Sequence, residues 1–190
     1  MKTLIVATGN QGKLREMQAH LTGIDVTLEL KPEALEIEET GTTFEENACL
    51  KATSIAKAMG QWAIADDSGL AVDTLGGAPG LYSARYGNSD RDRIERLLRE
   101  LGSSENRHAR FICVVAIARP DGSIAISSEG ICEGEILYTP RGTGGFGYDP
   151  IFYVPQQNKT FAEMSPELKR EISHRGKAFQ TLLPQLYNLQ

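Results

Sequence analysis

Leu4-Ile5-Val6-Ala7-Thr8-Gly9-Asn10-Gln11-Gly12-Lys13 is four apolar residues, a glycine turn and a lysine. The apolar run reads as a buried strand, and Leu14, Met17 and Leu21 beyond the turn recur at helical spacing. Residues 24–30 alternate as a second strand would, and the acidic stretch Glu33 to Thr42 reads as loop. The clearest helix runs from Thr43 to Met59. Thr43 and Glu46 have the spacing of a capping box, and Phe44, Ala48, Ala52, Ile55, Ala56 and Met59 form one apolar stripe. Asn47 and Lys51 lie one turn apart beside that stripe and present together. Trp62 to Ala65 reads as a short strand that ends at Asp66-Asp67-Ser68-Gly69.

Farther out, 74–88 is a Gly/Pro-rich loop and Arg91 to Leu101 a helix with a charged face. Residues 109–118 and 123–132 form a hairpin about Pro120-Asp121-Gly122. Ile151 to Val154 is a strand, and Ser165-Pro166 is an N-cap with proline at the first helical position. A last helix starts at Ser173, buries Phe179, Leu182, Leu183 and Leu186, and meets Pro184. Strand and helix alternate early and a hairpin fills the middle, so the fold class is α/β with a mixed sheet.

The 190 residues form one domain, 1–190, large enough to fold without disulfides or structural metal. With 41% hydrophobic and 24% charged residues, disorder, collagen and coiled coil are excluded. Twenty basic against 25 acidic residues give a net charge of −5, which argues against a nucleic-acid partner. Cys49, Cys113 and Cys132 are far apart and form no metal or disulfide pattern, so buried free thiols are expected. No apolar run approaches the roughly 18 residues of a membrane span, and Leu4 to Ala7 is too short for a secretion signal. A cytoplasmic protein is the expectation.

Four stretches could carry chemistry. The turn Thr8-Gly9-Asn10-Gln11-Gly12-Lys13 puts helix-start amides and a lysine where an anion would be stabilised. It lacks the GxxxxGK[ST] pattern, and it also reads as an ordinary strand–helix turn. Glu36, Glu38 and Glu39 precede the capped helix, and Asp66-Asp67 ends a strand. Such oxygen ligands suit magnesium, and a carboxylate there could take a proton from water. The glutamates alone also read as a solvated acidic loop. Ser68 has no nucleophile-elbow context, so it is a hydrogen-bonding or turn residue.

Gly142 to Pro150 contains a formal GxGxxG, but a strand follows it rather than a helix, which rejects a dinucleotide fold. Its glycines allow close backbone approach, Phe146 offers a ring for stacking, and Asp149 an acceptor for a base or sugar. The stretch also reads as a flexible turn. Lys169, His174 and Arg175 form a donor set that suits a carbonyl oxygen and rejects an amino group. His174 by itself also reads as a capping or core residue. His20 and His108 are assigned no role.

Together, ATGNQGK (7–13), EETGTTFEENACLKA (38–52), IADDSGLAVDTLGGAPGLYSARY (64–86), GTGGFGYDPIF (142–152) and SHRGKA (173–178) resemble the inosine triphosphate pyrophosphatase family. The likeness is nearest to its bacterial dITP/XTP pyrophosphatases. The resemblance implies hydrolysis of non-standard purine nucleoside triphosphates (ITP, dITP, XTP) to the monophosphate and pyrophosphate, with Mg2+. It also implies an elongated sheet, a substrate cleft between two lobes, and a homodimer. Asp67 would be the general base and a metal ligand, with Glu38 or Glu39 the other metal contact. Thr8, Gly9, Asn10, Gln11, Gly12 and Lys13 would hold the phosphates with Lys51, and Ser68 would touch the substrate. Phe146, Gly147, Tyr148 and Asp149 would line the base pocket, with Lys169, His174 and Arg175 at the 6-keto edge. The alternatives are a nucleotide-binding regulatory module that does not hydrolyse, and a phosphatase that releases the γ-phosphate. A nucleic-acid repair protein is disfavoured by the charge.

Overall fold

The computed structural model describes residues 3–189; the ends of the expected 1–190 domain, Met1, Lys2 and Gln190, lie outside the described residues. In chain order the elements are β1 (Thr3–Val6), α1 (Gln11–Leu21), β2 (Thr27–Leu30), α2 (Phe44–Met59), β3 (Trp62–Val72) and α3 (Asp90–Leu101). There follow β4 (His108–Ala118), β5 (Ile124–Ile136), β6 (Phe152–Val154), β7 (Lys159–Thr160), α4 (Pro166–Ile172) and α5 (His174–Tyr187). The strands form a seven-stranded sheet in the order β2-β1-β3-β4-β5-β6-β7. β1 runs parallel to β2 and β3, whereas β5–β6 and β6–β7 are antiparallel. The sheet is therefore mixed: the helical crossovers α1 and α2 return the chain parallel, whereas the strands late in the chain reverse direction.

The chain divides into two compact units, Met1–Asp67, Cys113–Gly130 and Arg175–Gln190 in the first, Ser68–Ile112 and Ile131–His174 in the second. In the first, strand alternation sends Leu4, Val6, Ile64, Cys113, Val115 and Ile117 to one face of the sheet. That face packs under Leu14, Met17 and Leu21 of α1 and Phe179, Leu182 and Leu186 of α5. The other face carries Ile5, Ala63, Ala65, Val114, Ala116 and Ala118, covered by Ala48, Ala52, Ile55 and Ala56 of α2. Alanines on both sides bring α2 close to the sheet, which places its polar flank near the strand ends. The second unit buries Leu70 and Val72 with Ile94, Leu97 and Leu101 of α3, and with Phe111, Phe152 and Phe161.

Local sequence accounts for most boundaries. The Thr43 hydroxyl accepts from the Glu46 N–H and caps α2, and Ser165 likewise accepts from Leu168 N–H ahead of Pro166. The reciprocal arm of the capping box differs by one residue from the expectation: the Glu46 carboxylate accepts from both the N–H and the hydroxyl of Thr42. The hairpin closes at Arg119–Ser123, where Gly122 has φ +87°, a conformation that suits glycine.

Three expectations are corrected. β3 does not end at Asp66 but continues through both aspartates to Val72. The expected loop 74–88 contains 3-10 turns at Asp73–Leu75 and Gly80–Arg85. Helix α5 begins at His174, Ser173 being the C-cap of α4, and Leu183 is only partly buried. The three cysteines are free, Cys113 and Cys132 buried and Cys49 half-buried.

Candidate functional site

The first unit's polar cluster is organised by β3. Successive strand residues point to opposite faces, so Asp66 follows Ile64 toward α1 and α5, and Asp67 follows Ala65 toward α2. The Asp66 side chain has no exposed surface, with Lys13 Nζ at 3.2 Å and Arg175 Nη2 at 2.7 Å from its Oδ2. Burial alone would raise its pKa, but Lys13, Arg175 and Lys51 outweigh it and hold the carboxyl well below the usual range. Arg175 is itself buried and donates from Nη1 to Glu16, one helical turn beyond Lys13. These cations explain why β3 runs through Asp66: a paired carboxylate can sit inside a sheet where an isolated one could not.

Asp67 has a different environment. Asn47 donates from Nδ2 to its Oδ2 at 3.2 Å, and Lys51 Nζ lies 3.4 Å from its Oδ1. The same ammonium is 2.6 Å from Glu39 Oε1. Burial pushes the Asp67 pKa above the ordinary value, Glu39 adds to the rise, and Lys51, Lys13 and Asn47 oppose it without cancelling it. Lys51 is lowered by burial, but Asp67, Asp66 and Glu39 prevail and hold it above its ordinary value. The expectation that Asn47 and Lys51 present together is met on Asp67.

Glu39 and Asp67 thus converge on one cation, whereas Glu38 and Glu36 are exposed. Among the described residues no three His, Cys, Asp or Glu side chains gather as a ligand set. Two mutually repelling carboxylates with hard oxygen donors still fit magnesium, which takes one or two carboxylates and completes its shell with water and substrate oxygens.

At the start of α1, Asn10 caps the helix by accepting from the N–H groups of Gly12 and Lys13, and Thr8 Oγ1 accepts from Asn10 N–H. Two of the amides that the sequence offers to an anion are taken by the Asn10 side chain. Gly9, Asn10 and Gln11 are exposed, Thr8 and Lys13 half-buried and Gly12 buried.

The second unit holds a separate cluster. Lys169 of α4 is buried, and its Nζ meets Asp149 Oδ2 at 2.5 Å. That oxygen also accepts from Phe146 N–H at 2.9 Å. The Phe146 ring centroid is 4.8 Å from Lys169 Nζ, a cation–π contact. Gly145, at φ +72°, has no substitute, because a Cβ there would lie 1.9 Å from the Asp149 carboxylate. The Tyr148 hydroxyl donates to Ser83 C=O, and burial pushes its pKa up. His174 stacks on Phe111 with centroids 4.6 Å apart. Ser68 is half-buried on β3.

Glu16 and Asp90 belong to these clusters and were not singled out from the sequence. For Glu16 the available signal was its place one turn after Lys13; Asp90 gave none beyond its position at a helix start.

The Ham1 family profile matches residues 4–185. A dITP/XTP pyrophosphatase of Nostoc is 68% identical over 97% of this chain and 94% of its own length, and that of Synechocystis is 64% identical over 97% and 95%. Among solved structures, a HAM1 protein from Coxiella burnetii superposes with a TM-score of 0.90 at 42% identity, covering 99% of this chain and 100% of that one. The Staphylococcus aureus Ham1 protein gives 0.89 at 43%, with both chains fully covered. A profile spanning nearly the whole chain, relatives above 60% identity and the same fold in solved neighbours agree: the chain belongs to the Ham1 family.

Proposed function

We propose that the chain, as one catalytic domain, hydrolyses ITP, dITP and XTP to the nucleoside monophosphate and pyrophosphate. The observation that carries this reading is the Asp67 cluster, a carboxylate with raised pKa oriented by Asn47, beside a lysine and a second carboxylate. A raised pKa makes Asp67 a better proton acceptor, and Lys51 beside it favours the ionised form that this role needs. Asp67 takes a proton from the water that attacks the α-phosphorus, and the bond to the pyrophosphate oxygen breaks. Lys51 and Lys13 offset the charge of the triphosphate and of the departing pyrophosphate, with the turn Thr8 to Lys13 beside them. Asp67 and the Glu38–Glu39 pair, of which Glu39 already shares Lys51 with Asp67, would hold magnesium. When bound, the metal would supply further neutralisation of phosphate charge.

Lys169, Asp149 and Phe146 are our candidates for reading the base. Phe146 stacks on the purine, with Gly147 and Tyr148 alongside, and Lys169 donates to the 6-keto oxygen with His174. A 6-amino group would set donor against donor, and a polar mismatch of this kind rejects a substrate by about 10⁴. The terminal nitrogens of Arg175 are bound to Asp66 and Glu16. A base contact from Arg175 therefore exchanges one of those carboxylates for the keto oxygen. Ser68 would touch the substrate.

No helix among the described residues is long and apolar enough to cross a membrane. We extend the reading to a cytoplasmic homodimer without a nucleic-acid partner, on the family resemblance and the net charge; light scattering checks the dimer.

Incubation with magnesium and ITP, then ATP, with products separated by chromatography, tests the reaction. IMP and pyrophosphate from ITP, with ATP nearly untouched, is the expected result. IDP and phosphate would overturn the bond assignment, and binding of ITP without turnover would make the chain a regulatory nucleotide-binding module. Glu38→Gln and Glu39→Gln, compared for magnesium dependence, assign the second metal contact.

A further inference from the structure

Asp90, the first residue of α3, makes a contact that helix capping does not explain. Its Oδ2 accepts from the N–H of Gly147 at 2.7 Å, 57 residues away. Its other oxygen accepts from Arg93 Nη1 at 2.7 Å. An acid in the first turn suits the helix dipole, but Ser89 already caps α3 by accepting from Asp92 N–H. The helix gains nothing from holding Gly147.

The glycine-rich loop does gain. Phe146 is flanked by Gly145 at φ +72° and Gly147 at φ +60°, two residues with the widest backbone freedom in the unfolded chain and the largest ordering cost. Its two successive amides are each held by a carboxylate: Phe146 N–H by Asp149, and Gly147 N–H by Asp90. Asp149 in turn holds Lys169 through the oxygen that takes the Phe146 amide. Release of Gly147 therefore loosens the Phe146 ring and, through Asp149, the aim of the Lys169 ammonium. The arrangement is local to the second unit and uses no metal or phosphate contact.

We propose that Asp90, braced by Arg93, is a positioning residue for base selection: it latches the Gly147 amide and so fixes Phe146 and Lys169 in the geometry that reads the purine. This rests on the reading of Phe146, Asp149 and Lys169 as the base-recognition group.

The test compares Asp90→Ala, Asp90→Asn and Phe146→Ala in the full chain, with steady-state kinetics on ITP and ATP and amide hydrogen exchange over the 142–149 loop. Asp90→Ala should raise KM for ITP about tenfold, the worth of one charge-assisted hydrogen bond, with kcat within about threefold. The ITP-to-ATP preference should fall and the Gly147 amide exchange faster. Asp90→Asn keeps an acceptor oxygen and should restore most of the affinity and selectivity. Wild-type KM and selectivity in Asp90→Ala, with both lost in Phe146→Ala, would overturn the latch and leave the base-recognition reading standing. An unaffected Phe146→Ala would overturn that reading and the latch with it. Equal impairment in Asp90→Ala and Asp90→Asn, with both melting lower, would reduce Asp90 to a structural residue and overturn the proposal.

Discussion

Asp66 and Asp67 are chemically identical neighbours on β3, and their surroundings are opposite. On one face Asp66 is sealed between Lys13 and Arg175, and its pKa is held down. On the other, Asp67 faces one shared lysine, an amide and a competing carboxylate, and its pKa is pushed up. The difference comes from strand alternation, which delivers each side chain to a different helix layer. On the proposed mechanism it separates two tasks. Asp66 is a committed counter-ion that keeps Lys13 and Arg175 in place. Asp67 carries an ionised form that its site favours less, which is what a proton acceptor needs.

The largest way to break this comparison is Asp67→Asn. It should lower kcat by about 10² to 10⁴ while ITP still binds, the range for removal of a general base. A variant with near wild-type turnover would end the assignment. The same substitution should raise Tm, because it removes a charge that the folded state holds at a cost.

Asp66→Ala should do the reverse to stability. Removal of one partner from a buried ion pair costs about 3–5 kcal/mol, read as a lower urea midpoint. Asp66→Ala with unchanged stability would place the network's energy elsewhere, and the Asp66→Asn, Arg175→Met double mutant should cost less than the sum of its singles.

The pH dependence sharpens the same point. The folded pKa of Asp66 is depressed, so its contribution is present above the unfolded value, near 3.9, and is lost as pH falls from there toward the depressed one. The Tm gap between the wild type and Asp66→Asn should therefore be constant from about pH 7 to about pH 4 and shrink only below it. A gap that closes between pH 7 and 5 would contradict a carboxyl held charged by Lys13 and Arg175.

The smallest effect is expected from Asn47→Ala, which takes one hydrogen bond from Asp67 and leaves Lys51. A loss in kcat of about tenfold or less is expected, with substrate affinity unchanged. A loss as large as that of Asp67→Asn would make the amide, rather than the carboxylate, the critical group.

Much of this was legible in local sequence. Thr43, Ser165-Pro166 and Gly122 announce their caps and turn because a cap needs only residues three positions apart. The Ala-rich stripe of α2 and the apolar runs of β1 and β4 follow from periodicity. The course of β3 was not legible. Two adjacent acids read as the end of a strand, and of the two cations that keep Asp66 inside the sheet, Lys13 and Arg175, the second stands 109 residues away. The state of the α1 amides was not legible either, since Asn10 reads both as a helix cap and as a phosphate ligand.

By itself, then, the sequence determined the α/β class, the helix starts, the residues with chemistry to offer and, through its motifs, the family. Those are properties of composition and short spacing. Only the tertiary structure decided that Asp66 and Asp67 have opposite surroundings, that Glu39 rather than the exposed Glu38 shares a lysine with Asp67, and that Glu16 and Asp90 make contacts within the two clusters. Each depends on which side chains meet after residues tens of positions apart are packed together. In a buried setting it is those neighbours, more than the residue type, that set charge state and reach.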